Sequence, residues 1–290
     1  MSIRKEVFEL SLSTPLDFVG TCEILKSILI AQGVSARDIV EYKQDSRIGV
    51  LVFLDSLGKA QKLKDRFKGL GLKRINIKLT PLKRIEWQDK WKRDFLPFSL
   101  TPKIDVVPIW HKKEYKPTRN RQLIFIDTAT AFGTGLHDTT RFMAQFIENQ
   151  TGFFNRFLDI GTGTGILALV AVKSQAKEVW AIDIDKECIP VARSNMTLNE
   201  CAFDYLKTMD LRDFPSQKKF DYVAANLISL DLIKMRKKIV SLVERKKFLA
   251  ISGISVENLP LVIQHFKTLP LRCLKIKKSK NWAALLYQHV

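Results

Sequence analysis

The stretch FLDIGTGTGILAL, Phe157 to Leu169, restricts what this chain can fold into more than any other segment. A strand-like apolar run leads into Gly161, Gly163 and Gly165, and an apolar run at helical spacing follows from Ile166 to Lys173. Glycines so placed let the backbone take conformations closed to residues with a Cβ, and let a ligand approach the main chain closely. The next strand pattern, EVWAIDID, carries Asp183, 22 residues beyond Gly161. Strand, glycine turn, helix and acid-ended strand make a βαβ unit, so the expected fold class is α/β with a doubly wound, Rossmann-like sheet.

Spacing then sorts the ligands. A dinucleotide fingerprint needs a small residue three places after the second glycine, and Ile166 stands there. Asp159 ahead of the first glycine, with Asp183 ending the next strand, fits S-adenosylmethionine better, a ligand with a ribose and no pyrophosphate. Asp183 is expected to accept the ribose hydroxyls. Asp185, just before the next helix pattern, is expected to cap that helix.

Other features set limits. The four cysteines, Cys22, Cys188, Cys201 and Cys273, form no C-x-x-C pair, and the four histidines add no ligand-spaced cluster, so no metal is expected and the compartment should be reducing. No apolar run is long enough to cross a bilayer and the first residues, MSIRKEVFELSL, carry acids, which predicts a soluble, cytoplasmic protein. The net charge of +18 stands apart. Basic clusters at Lys62 to Arg74, Lys112 to Arg121, Lys234 to Lys238, Arg245 to Lys247 and Lys275 to Lys280 suggest a surface able to meet nucleic acid or a ribonucleoprotein. Lysines decorating solvated faces would explain the same numbers, and no aromatic residues interleave the clusters in a base-stacking pattern.

Ahead of the glycine turn, strand patterns at Glu6 to Leu12, Ile48 to Leu54 and Ile75 to Leu79 alternate with amphipathic helices at Asp17 to Ala31 and Leu57 to Leu70, and a fourth strand fits Asp38 to Gln44. This predicts a small ferredoxin-like α+β module over residues 1–80. Pro81 breaks the pattern, and Trp87 and Trp91, one helical turn apart, predict a linker helix over 81–95. Residues 96–290 then form the donor-binding domain, whose last strands are expected as an antiparallel edge hairpin ending in Trp282 to Tyr287.

A second glycine loop lies in DTATAFGTGLHDTTRF, Asp127 to Phe142. Together with Asp159 to Gly165, the strand DYVAANLI around Asn226, the FLAISGI strand and the terminal KNWAALLYQHV, it resembles the bacterial PrmA family, the methyltransferases of ribosomal protein L11. The resemblance spans essentially the whole chain. It implies that Thr140, Gly161, Asp183 and Asn226 occupy donor-contact positions, with Gly163 and Gly165 in the same turn. It also implies that Phe132 lies beside the reacting groups and that the N-terminal module grips ribosomal protein L11. The family's loop has Pro-Gly where this chain has Thr128 and Ala129, and Pro where it has Asp138.

Methyl transfer from a sulfonium is an in-line displacement by a neutral amine. Deprotonating a lysine at pH 7 costs about 4.6 kcal/mol from its reference pKa and an α-amine only about 1 kcal/mol. A dry pocket and a neighbouring sulfonium lower that cost, so no strong base is required. Asn226 closes an apolar strand at the edge where open α/β sheets bind ligands, and its amide is placed to orient the amine. Capping the helix that follows is its other assignment, and His137 is expected to order its loop. Enzymes acting on base amines commonly carry Asn/Asp-Pro-Pro-aromatic here; this chain has Asn226, Leu227, Ile228, Ser229, which favours an aliphatic amine. The expected activity is protein N-methylation of lysine or N-terminal amines. An RNA methyltransferase and a non-catalytic donor-binding ribosome factor are the alternatives.

Overall fold

The computed structural model describes residues 7–15, 21–34, 39–44, 47–54, 56–72, 74–82, 95–117, 120–127, 135–215 and 217–290. The chain divides into two compact units, Met1–Phe95 and Leu96–Val290.

In the first unit β1 (Val7–Pro15), α1 (Thr21–Ala31), β2 (Ile39–Gln44), β3 (Arg47–Leu54), α2 (Leu57–Gly69) and β4 (Asn76–Leu82) follow in order. The strands pair antiparallel as β2-β3-β1-β4, the ferredoxin-like arrangement, and β2 supplies the expected fourth strand. Period-two alternation puts Leu10 and Leu12 of β1 and Val50 and Val52 of β3 in one core with Leu25 and Leu29 of α1 and Leu63 and Phe67 of α2. Pro81 does not end the pattern. It lies within β4 opposite Phe8, and β4 is an edge strand, where a missing N–H can face outward without breaking a ladder. The expected linker helix, with Trp87 and Trp91, falls outside the described residues from 83 on.

The second unit begins with a three-stranded sheet of β5 (Phe98–Ser99), β6 (Ile104–Pro108) and β7 (Gln122–Ile126). Arg121, counted above among surface cations, is a clamp instead. Its guanidinium donates to Asp105 Oδ1 at 2.7 Å and to the carbonyls of Pro102 and Thr101 at 2.6 Å. Then come α3 (Asp138–Asn149), β8 (Arg156–Ile160), α4 (Ile166–Lys173), β9 (Glu178–Asp183), α5 (Cys188–Leu198), β10 (Tyr205–Thr208) and β11 (Phe220–Asn226). The chain ends with α6 (Ser229–Ser241), β12 (Val243–Ser255), α7 (Leu259–Phe266), β13 (Leu271–Lys278) and β14 (Trp282–His289).

The seven-stranded sheet runs β10-β9-β8-β11-β12-β14-β13, parallel from β10 to β12. Leu158, Ile160, Val223, Ala225, Leu249 and Ile251 share a core with Leu232 and Ile239 of α6 and Val262 and Phe266 of α7. Helices α3 and α4 pack together outside that cluster, α3 lying on β12 and β14. The expected terminal hairpin forms, yet β14 is internal and β13 is the edge. Ala283 to Tyr287 are all buried, so β14 needs cover on both faces and both edges, whereas β13 is largely exposed and carries lysines, as edge strands tolerate. Strand order reverses between β8 and β11, which opens a crevice beyond their carboxyl ends. No helix among the described residues is long and apolar enough to cross a membrane.

Candidate active site

Gly161, Gly163 and Gly165 all have positive φ, but they do different work. A Cβ on Gly161 (φ +75°) would lie 2.6 Å from Leu227 Cδ2, so this residue lets the turn after β8 approach the segment after β11. The Gly163 N–H donates to Asp183 Oδ2 at 2.9 Å. A Cβ on Gly165 would lie 3.3 Å from Ala192 Cβ, so this glycine sets the packing of α4 on α5.

The partners of Asp183 fix its carboxylate. Oδ2 accepts from Gly163 and Oδ1 from the Asp185 N–H, each at 2.9 Å. Each carboxylate oxygen carries two lone pairs, the number needed to accept from an amide and from a ribose hydroxyl. Asp185 does not cap α5, whose cap is Glu187; it orders the turn ahead of that helix, its carbonyl accepting from Cys188 N–H at 3.1 Å and its Oδ1 from Glu187 N–H at 2.9 Å. Asp159 lies wholly buried under the turn, with Oδ2 accepting from the Thr162 hydroxyl at 2.8 Å and Oδ1 without a hydrogen-bond partner among the described residues. Burial raises its pKa to about 7, against the pull of the Thr162 hydroxyl, with the Asp183 charge adding to the rise and the Ala168 amide opposing it.

Asn226 ends β11, and its Nδ2 donates to Thr139 Oγ1 at 3.3 Å. Thr139 Oγ1 in turn is 2.7 Å from His137 Nδ1, which also accepts from the Thr139 N–H as the cap of α3. The side chains thus line up from Asn226 through Thr139 to His137, whose ring caps α3. Trp282 meets that ring edge-on, with centroids 4.8 Å apart. Asn226 does not cap α6, whose cap is Ile228. Thr140 sits beside Thr139 in the first turn of α3, buried. Asp138 is the first residue of α3, a position that suits proline and an acid alike, so its replacement of the family's proline needs no change of backbone. Phe132, Thr128 and Ala129 lie outside the described residues.

Two supports were not read from the sequence. A Cβ on Gly253 (φ +83°) would fall 2.2 Å from the Leu227 carbonyl oxygen, so only glycine lets β12 lie against the segment that follows Asn226. The Leu227 N–H donates to Ser252 O at 3.1 Å there, and a lone glycine inside the apolar FLAISGI run was the available signal. The other is Asn195, fully buried on α5. Its Nδ2 donates to Thr164 O at 2.9 Å and its Oδ1 accepts from Asp127 N–H at 2.7 Å, tying the glycine turn to the start of the second loop. No local pattern marks it.

These residues suit a nucleoside attached to a cation. Asp183 offers two oriented acceptors, Ile184 beside it is 70% exposed and gives a base an apolar surface, and the unbonded oxygen of buried Asp159 favours positive charge nearby.

The chain matches the family described as "Ribosomal protein L11 methyltransferase (PrmA)" over residues 25–289. A ribosomal protein L11 methyltransferase of Geobacter metallireducens is 36% identical over 210 residues, covering 72% of this chain and 68% of the relative. One from Caldicellulosiruptor saccharolyticus is 33% identical over 228 residues, 78% of this chain and 73% of the relative. The crystal structure of a ribosomal protein L11 methylase from Lactobacillus delbrueckii subsp. bulgaricus aligns with a TM-score of 0.61 at 27% identity, over 67% of this chain and 99% of that one.

Proposed function

The chain belongs to the ribosomal protein L11 methyltransferase family, and from that premise we propose that it transfers methyl groups from S-adenosylmethionine to lysine or N-terminal amines of ribosomal protein L11. The observation that carries this is the meeting at one switch point of the Gly163–Asp183 pair with Asn226, whose carbonyl oxygen lies 4.0 Å from where a Cβ on Gly161 would stand.

The donor, when bound, supplies a methyl group made electrophilic by its sulfonium. Asp183, Gly161, Gly163 and Thr140 would hold it, and Asp159 would lose its proton as positive charge arrives. The Asn226 amide has its Nδ2 committed to Thr139, which leaves Oδ1 to accept from the amine N–H and turn the nitrogen lone pair toward the methyl carbon. The amine must reach the site neutral, and a water-poor crevice lowers the cost of about 4.6 kcal/mol that a lysine otherwise carries at pH 7. By the family resemblance, Phe132 would lie beside the reacting groups. The segment after Asn226 offers Leu227 and Ile228 and no aromatic ring to stack a base, which supports an aliphatic amine. We assign gripping of the protein substrate to residues 1–80, joining to residues 81–95, and chemistry to 96–290. The cytoplasm is the place of action, and the basic surface contacts ribosomal RNA.

Incubating the purified chain with ribosomal protein L11 and labelled donor is expected to label the protein. Label on ribosomal RNA instead would move the assignment to RNA methylation, and donor binding with no label anywhere would make the chain a non-catalytic binding factor.

A further inference from the structure

Strands β11 and β12 are out of step at their amino ends. Phe220 pairs with Val243 and Tyr222 with Phe248, so Glu244, Arg245, Lys246 and Lys247 stand opposite Asp221 alone. Four residues facing one cannot stay in the ladder, and the segment loops out, with Lys246 at φ +62°. Arg245 and Lys246 are exposed and form no ion pair among the described residues. The acids beside them are engaged: Arg156 lies 3.1 Å from Asp221 and 3.7 Å from Glu244.

Two distant segments join this loop. From the edge strand, Arg272 donates to Gln288 Oε1 at 2.6 Å, and Gln288 Nε2 donates to Lys246 O at 3.0 Å. From the turn after α3, the Phe153 carbonyl accepts from Lys247 Nζ at 3.0 Å, while the Phe153 side chain stands in solvent at 65% exposure. The fold thus sets an aromatic ring beside a cluster of cations that sequence order keeps nearly a hundred residues apart. No acidic residue occurs from 258 to 290, so the β13 side of the cluster stays positive.

We propose that this amino-terminal end of the seven-stranded sheet docks single-stranded RNA, with Arg245, Lys246, Lys247 and Arg272 meeting phosphates and Phe153 stacking a base. Cations along a strand's path with one exposed ring among them are the elements that bind unpaired nucleic acid without reading sequence. A lone ring is too little apolar surface for a membrane, and an acidic peptide would have no use for it. The surface lies at the opposite ends of the strands from the crevice, so RNA held there leaves the donor and amine sites open. That the nucleic acid is RNA rests on the ribosomal reading above; the charge and stacking argument does not.

The test is fluorescence anisotropy of a labelled single-stranded 12-mer of uridine with the full chain, across a salt series. Binding should weaken with salt, with a log–log slope of roughly −2 to −3 for three or four phosphate contacts. Phe153→Ala should weaken binding about tenfold, the loss of one stacked base, without changing competition by heparin, a polyanion with no bases. Arg245→Glu with Lys246→Glu should abolish binding of both. Full affinity in Phe153→Ala, or in the double charge reversal, would overturn the proposal, as would equal affinity for an RNA duplex. Methylation of ribosomal protein L11, followed in parallel, should not change in these variants. RNA binding in a preparation that fails to methylate would uphold this surface while striking the catalytic reading.

Discussion

At the carboxyl ends of the seven-stranded sheet the candidate groups are short, half-buried and held close to the main chain: Asp183 by two amides, Asn226 by the Thr139 hydroxyl, the turn after β8 by glycines. At the amino ends they are long, more exposed and held by one or two contacts, as exposed Arg272 and half-buried Lys247 are. Chemistry on a single atom needs groups fixed to within a fraction of an ångström, so that end depends on close backbone approach. Attraction to a polyanion needs charge density and reach, which lysines on a looped-out segment supply. One sheet can therefore carry both, and the two ends should respond differently to substitution.

Gly253→Ala should break the carboxyl end most severely. The added Cβ meets the Leu227 carbonyl oxygen, and a positive φ adds strain, for an expected loss of about 3–5 kcal/mol in urea unfolding together with turnover. An unfolding midpoint equal to wild type would show that the Leu227 segment is free to move. Asp183→Ala removes acceptors for two hydrogen bonds to a charged group, and donor affinity by calorimetry should fall about a hundredfold; unchanged affinity would refute the ribose assignment. Asn226→Ala should lower kcat about tenfold to a hundredfold while donor affinity stays within a few-fold, and the opposite split would make Asn226 a binding contact alone.

A pH dependence sharpens the contrast further. The carboxyl of Asp159 is raised to about 7 by burial, against an ordinary value of 3.8 when unfolded. A folded pKa above the unfolded one stabilises the folded state fully at low pH, and that contribution is lost as pH rises through about 7. Donor-free unfolding free energy should therefore decline between about pH 4 and pH 7 in wild type relative to Asp159→Asn. Parallel profiles would contradict the assignment. The smallest effect is expected at the other end, where Arg245→Glu with Lys246→Glu should leave kcat for ribosomal protein L11 within about twofold.

Local pattern carried much of this architecture. Alternation and helical spacing announced the βαβ unit and most of the ferredoxin-like module, because both periods follow from backbone geometry. Asp183 and Asn226 stood out as candidates because acids and amides at strand ends sit where open sheets bind ligands, and both do end strands. Sequence also put Asp185 at the entry to α5, since its contacts there involve neighbours only two or three residues away, although the cap itself is Glu187.

Non-local contacts decided the rest. The packing of Gly165 on Ala192 is invisible in its glycine turn, and Asn195 reveals nothing until Thr164 and Asp127 meet it from two loops. Pro81 breaks a strand only if both edges are paired, and β14 becomes internal only through its pairing with β12. Phe153 and Lys247 are joined by the return of the chain across the sheet. The order of residues determined which segments become strands, helices and turns, since those depend on torsions and on neighbours a few places away. Which segments touch was decided by the packing of the whole sheet, because a contact between distant residues leaves no period in the chain.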